Sequence, residues 1–120
     1  MSETVIMRDI HLAISKIGAR IFRNNVGVFK TAAGGRIRTG LCVGSSDLIG
    51  LTPRVITADM LGRQVAIFTA IEVKSAKGGL KKEQKAFLAM VKNAGGIAIV
   101  ARNVDEAIQK IEVGDNGVGF

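Results

Sequence analysis

The tetrad Ile71-Glu72-Val73-Lys74 sets a carboxylate and an ammonium at the end of an otherwise apolar run, Val65 to Ile71. The run predicts a central strand over residues 65–74, and a strand alternates its side chains with period two. Glu72 and Lys74 therefore share one face, while Ile71 and Val73 point to the other. Taking unpaired charges out of water is costly, so such a pair persists where it faces a metal, a substrate or a counter-charge. The segment Gly44-Ser45-Ser46-Asp47-Leu48-Ile49-Gly50 offers a second carboxylate, Asp47, 25 residues before Glu72.

An Asp followed by Glu-x-Lys is the residue set that metal-dependent phosphodiester cleavage requires. Two carboxylates hold a divalent cation; a lysine orients or helps deprotonate the attacking water and offsets phosphate charge. Carboxylate oxygens suit Mg²⁺, and the sequence has no His/Cys cluster to suggest zinc. Mg²⁺ (or Mn²⁺) is the expected cofactor.

The segment after the tetrad predicts a helix over 80–93 with an apolar stripe of Phe87, Leu88 and Val91. Gln84 lies three, four and seven positions before these residues, on the buried face. A polar amide there needs a partner. Either a backbone group satisfies it, or it points into the Glu72/Lys74 site to orient water or the lysine. The first helix presents the same choice. Its stripe is Ile6, Ile10, Ala13, Ile14 and Ile17, and Glu3 falls on it. Glu3 is either an ordinary first-turn acid favoured by the helix dipole or a polar group turned towards a site.

Taken together, these positions resemble the VRR-Nuc family of the PD-(D/E)XK nuclease superfamily, in its stand-alone phage or bacterial form. The resemblance runs from Glu3 to about Ala101. It is carried by Glu3, Arg23-Asn24-Asn25-Val26-Gly27, Gly40-Leu41, Gly44 to Gly50, Glu72-Val73-Lys74, Gln84 and Ala94-Gly95-Gly96. It implies a restriction-endonuclease-like core in which Asp47, Glu72 and the Val73 carbonyl ligate the metal. It makes Lys74 the catalytic lysine, with Gln84 and Glu3 in supporting roles. Ser46 stands where the superfamily name anticipates proline, which shapes a turn and is not a ligand.

At 120 residues, 48% of them hydrophobic, the chain is expected to form one domain over 1–113, with a flexible Gly-rich tail at 114–120. No apolar run reaches the roughly 18 residues that span a membrane, and Glu3 and Asp9 do not fit a signal peptide. The chain reads as soluble, intracellular and cytoplasmic. A single cysteine, Cys42, has no intramolecular partner and reads as a small packing residue.

The net charge of +7 points to a polyanionic partner. Between Ile10 and Ser46 there is no acid, while Lys16, Arg20, Arg23, Lys30, Arg36 and Arg38 add six positive charges. A second cluster, Lys74, Lys77, Lys81, Lys82, Lys85 and Lys92, contains only Glu83 against it. Two basic clusters flanking two acidic motifs fit a surface for nucleic-acid backbone. Arg20, Arg23, Lys30, Arg36, Arg38, Lys77 and Lys81 are the expected contacts. With no Trp or Tyr, stacking of single strands is a poor fit, and duplex or branched DNA a better one.

Further elements are expected as follows: a first helix from Glu3 to about Ile17, capped by Ser2 and ended by Gly18; a strand over 19–22; a loop or loosely paired hairpin over 24–35. Residues 36–43 return towards the core, and 47–49 form a short strand. A connection over 51–62 carries a helical turn capped by Thr57. Residues 76–79 make a flexible break that carries Lys77. A strand over 97–101 and a helix from Val104 follow, the latter opened by an Asn103/Glu106 capping box. The strand-helix-strand order implies a parallel crossover, hence an α/β fold with a mixed central β-sheet flanked by α-helices. His11 reads as a surface residue, and the Gly-Gly pairs as turns, since no P-loop pattern follows them.

Two function classes remain open. One is a metal-dependent DNA endonuclease, structure-selective on branched DNA of the Holliday-junction type or of flap or restriction type. The other is a non-catalytic DNA-binding module with a structural Glu72-Lys74 pair. Family members linked to four-way junctions make two symmetric incisions, so the resemblance implies a homodimer.

Overall fold

The computed structural model describes residues 2–113; the expected tail, 114–120, lies outside them. The chain divides into two units, Met1–Pro53 and Arg54–Phe120.

In the first unit, the Ser2 hydroxyl accepts a hydrogen bond from the Val5 N–H at 3.3 Å and opens helix α1, Glu3–Lys16. Its C-terminus is the expected one, with Gly18 at φ +100° just beyond the Ile17 cap. The covered face coincides with the expected stripe only at Ile14. Met7, His11 and Ile14 are half-buried, whereas Ile6, Ile10 and Ile17 are exposed. The His11 ring belongs to this face: its Nε2 lies 2.9 Å from the Ile21 carbonyl, on the strand against which α1 packs. The surface reading of His11 is thereby corrected.

Strand β1, Arg20–Arg23, pairs antiparallel with β4, Leu48–Leu51, in the register Arg20↔Leu51 to Arg23↔Leu48. Gly50 is required at this pairing, because a Cβ there would stand 2.0 Å from the Arg20 carbonyl oxygen. Between them, β2, Gly27–Lys30, and β3, Arg36–Thr39, form a true antiparallel hairpin, from Gly27↔Thr39 to Lys30↔Arg36. Its turn is closed by Thr31 N–H to the Gly35 carbonyl at 2.8 Å and Gly35 N–H to Thr31 Oγ1 at 2.9 Å. Residues 36–43 do not return to the core: Ile37, Leu41 and Val43 are all exposed. Cys42 is exposed as well, so its reading as a packing residue is corrected. Ala19 and Leu51 are the buried apolar side chains of this unit.

The second unit opens with a 3₁₀ turn, Ala58–Met60, in which the Thr57 hydroxyl bonds the Asp59 carboxylate instead of the backbone. Strand β5, Thr69–Val73, pairs parallel with β6, Ile97–Ala101, from Thr69↔Ile97 to Val73↔Ala101. The expected ten-residue strand is shortened because β6 supplies only five partners. Flanking bonds from Ile97 N–H to the Phe68 carbonyl (2.9 Å) and from Lys74 N–H to the Ala101 carbonyl (3.1 Å) complete the ladder. Helix α2, Lys82–Asn93, connects the two strands and packs on both; it starts later than expected because Lys81 is extended and serves as its N-cap. Helix α3, Val104–Val113, packs on β6. Asn103 Oδ1 caps it by accepting from the Glu106 N–H at 2.8 Å. The Glu106 carboxylate does not complete the box but pairs with Lys110 at 3.3 Å.

β6 is covered on both faces, with Ile97, Ala98, Ile99 and Ala101 buried, as a parallel strand demands. β5 alternates: Ala70 and Glu72 are half-covered, while Thr69, Ile71 and Val73 are exposed. The fold is α/β, with strands paired in both orientations. Among the described residues they form three two-stranded ladders in place of one continuous sheet, each ladder within one unit. Among these residues no helix is long and apolar enough to cross a membrane.

Candidate active site

The last turn of β5 and the first turn of α2 build one cluster. Because β5 alternates, Glu72 and Lys74 emerge on the same, covered face, with side chains 29% and 16% exposed. Lys74 Nζ stands 3.6 Å from Glu72 Oε1. The same oxygen accepts from Gln84 Nε2 at 2.7 Å, while Gln84 Oε1 accepts from the Lys81 backbone N–H at 2.9 Å. Gln84 thus meets a backbone group at one end and the Glu72/Lys74 pair at the other. One end of its amide satisfies an N–H that the start of α2 leaves without an intrahelical partner, and the other holds the carboxylate. The amide orientation follows, since a flipped group would face N–H with NH₂ and carboxylate with carbonyl.

Only Oε1 of Glu72 takes a hydrogen bond from the described residues. A cavity of about 420 Å³ opens beside it, lined by Phe68, Glu72, Glu83, Gln84 and Phe87 among others. Glu83, in the sequence only the lone acid of the second basic cluster, is exposed and off the helix stripe. Lys77 is exposed, and its segment forms a turn in which Gly78 N–H bonds the Ser75 carbonyl at 3.1 Å. Arg102 Nη1 donates to the carbonyls of Ser75 and, at 2.7 Å, of Gly78. Sequence gave no sign of this role for Arg102.

In the first unit, Asp47 is exposed and lies immediately before β4. It lines two cavities. One, of about 350 Å³, it shares with Glu3, Ile6, Met7, Ile10 and Leu48; the other, of about 880 Å³, includes Arg23, Asn24, Phe29 and Thr39. Two of the sequence-derived acids, Glu3 and Asp47, thus meet at one cavity, although Glu3 is exposed and not part of a packed stripe. The hairpin register places Lys30, Arg36 and Arg38, with Val28, on one face, and Phe29 and Ile37 on the other. All three cations are exposed, as are Arg20 and Arg23 on β1 and Lys81 at the start of α2.

Chemically, the Glu72 carboxylate and the Val73 carbonyl in the second unit, and separately the Asp47 carboxylate in the first, are hard oxygen donors of the type Mg²⁺ and Mn²⁺ take; the donor chemistry fits. Among the described residues no group of three or more His, Cys, Asp or Glu side chains gathers into a metal site.

The family model of the VRR-NUC domain matches residues 27–105, more than half of the chain. The chain belongs to the VRR-NUC domain family. The matched span contains the hairpin cations, Asp47, the Glu72-Val73-Lys74 triplet, Lys77, Lys81 and Gln84; Glu3, Arg20, Arg23 and Asn24 precede it. No curated protein and no solved structure matches. VRR-NUC domains are nuclease domains, so membership supports a nuclease-type function and, with it, DNA binding. The α/β architecture is consistent with that fold.

Proposed function

We propose that this VRR-NUC protein is a metal-dependent DNA endonuclease that hydrolyses phosphodiester bonds, selectively in branched DNA, as a homodimer. The observation that carries the reading is the double hold on Glu72 Oε1, by Gln84 at 2.7 Å and by Lys74 at 3.6 Å, on a covered strand face.

In this reading Asp47, Glu72 and the Val73 carbonyl hold Mg²⁺ or Mn²⁺, which when bound stabilises charge on the scissile phosphate and the leaving oxygen. Lys74 positions and activates the attacking water through its ammonium charge. Gln84 keeps the Glu72 carboxylate in one orientation, and Glu3 supports Asp47 from the cavity that both line. No covalent intermediate is needed, because water attacks phosphorus directly. Lys30, Arg36 and Arg38 on the hairpin neutralise phosphates, and Arg20, Arg23, Lys77 and Lys81 serve as further phosphate contacts. Lys30 and Arg36 are directly opposed across the ladder, a like-charge pair that costs stability unless an anion lies between them. The exposed Lys30, Arg36 and Arg38 form no ion pair among the described residues.

Purified protein is incubated with supercoiled plasmid, linear duplex, flap and four-way-junction DNA, with Mg²⁺, Mn²⁺ or chelator. Metal-dependent incision favouring the junction supports the reading. Binding without incision under every condition replaces it with a DNA-binding module whose Glu72-Lys74 pair is structural, and incision favouring flaps or plain duplex reassigns the substrate.

A further inference from the structure

β1 ends at Arg23, and Asn24, the next residue, commits both ends of its side-chain amide to one short segment. Its Nδ2 donates to Ser45 Oγ at 2.8 Å and to the Ser46 carbonyl at 2.9 Å, while its Oδ1 accepts from the Leu41 N–H at 2.8 Å. Its backbone N–H donates to the Asp47 carbonyl at 2.8 Å. An asparagine amide has two donor hydrogens and one acceptor oxygen, so all three functions are used here.

The Ser46 carbonyl belongs to the peptide unit before the Asp47 Cα, and the Asp47 carbonyl to the unit after it. Asn24 holds both. Both backbone torsions of Asp47 are thereby restrained, and with them the direction of its Cα–Cβ bond, although the residue is exposed and precedes the strand. The segment is braced elsewhere too. Ser45 Oγ donates to the Cys42 carbonyl at 2.6 Å, and Thr39 Oγ1 donates to the Asn25 carbonyl at 2.8 Å. Gly40, at φ +84°, sits so close to β1's exit that a Cβ would stand 2.7 Å from Val26 Cα. Residues 40–47 are thus fastened to 24–26 at both ends.

We propose that Asn24 is the positioning residue of Asp47, fixing the direction from which that carboxylate meets a divalent cation. This rests on the metal-dependent reading above. Groups that orient a metal ligand without touching the metal typically change affinity by about 10- to 100-fold.

The test compares wild type, Asn24→Ala and the near-isosteric Asn24→Asp, which keeps an acceptor for the Leu41 N–H but cannot donate to the Ser46 carbonyl. Mn²⁺ binding is measured by calorimetry without DNA, Leu41 amide exchange in metal-free protein, and duplex affinity in chelator. Both variants are expected to weaken Mn²⁺ binding about tenfold or more and to leave DNA affinity within about twofold, since Asn24 is not a phosphate contact. Leu41 exchange is expected to quicken in Asn24→Ala alone. Excess Mn²⁺ is expected to restore single-turnover cleavage to the Asn24 variants but not to Asp47→Ala, a rescue that a general loss of structure does not allow. Wild-type Mn²⁺ affinity in a folded Asn24→Asp overturns the proposal, whether or not Asn24→Ala folds. Cleavage by wild type with an unchanged metal midpoint in both variants overturns it while the nuclease reading stands. Wild type that binds no Mn²⁺ and leaves DNA intact overturns both.

Discussion

Gln84 donates to Glu72 across 2.7 Å while the other end of the same amide accepts from the backbone N–H of Lys81 at 2.9 Å, so one side chain closes the start of α2 and holds the acid at the end of β5. The two jobs separate by substitution. Gln84→Ala is expected to lower the single-turnover cleavage rate by about 10- to 100-fold and stability by about 1 kcal/mol through the lost cap. Gln84→Glu keeps the acceptor for Lys81 but sets a second carboxylate against Glu72, and it is expected to cost at least as much activity. Single-turnover rates and thermal melting of both variants check this; wild-type cleavage by Gln84→Glu would remove Gln84 from the site.

Asp47→Ala, Glu72→Ala and Lys74→Ala are each expected to abolish cleavage while leaving the protein folded and bound to DNA. The carboxylates are needed for the metal and the ammonium for the water, and neither supplies most phosphate contacts. Circular dichroism, duplex binding in chelator and single-turnover cleavage test this together. If Lys74→Ala cut at the wild-type rate, the role given to the lysine would be wrong.

The hairpin cations are expected to act through phosphate neutralisation. Each contact contributes a slope of about −0.9 to the logarithmic salt dependence of binding. Arg36→Gln with Arg38→Gln should therefore reduce the steepness by about 2 and weaken unrelated sequences alike. Lys30→Glu faces Arg36 and is expected to raise stability by a few tenths of a kcal/mol, about 0.2–1, while weakening DNA binding. A salt series with several duplexes, and a melting curve for Lys30→Glu, are the checks; a strong base preference counts against this mode.

Two symmetric incisions at a four-way junction require two sites, which a twofold dimer supplies. Light scattering coupled to size exclusion is expected to give about twice the 12.7 kDa chain mass. A monomer that still makes paired cuts would sink the symmetric model.

The period-two alternation by itself determined that Glu72 and Lys74 share a face, and the helical period that Gln84 lies on the inner side of α2. The caps at Ser2 and Asn103 and the stop at Gly18 were equally readable, because they depend on neighbours three or four residues away. The order of motifs made the family visible. Only the tertiary structure decided which atoms those side chains meet. Gln84 reaches Glu72 because β5 and α2 pack together, and sequence spacing carries no such distance. The length of β5 was set by β6, through hydrogen bonds between segments some 28 residues apart. The covered face of α1 was set by packing on β1, where His11 meets the Ile21 carbonyl. Asn24 read as the first residue of a loop or loose hairpin; its hold on Ser45, Ser46 and Asp47 spans 21 to 23 positions and depends on the pairing of β1 with β4. Local periodicity is written along the chain, whereas a hydrogen bond between distant segments is fixed by the packing of the elements that carry them.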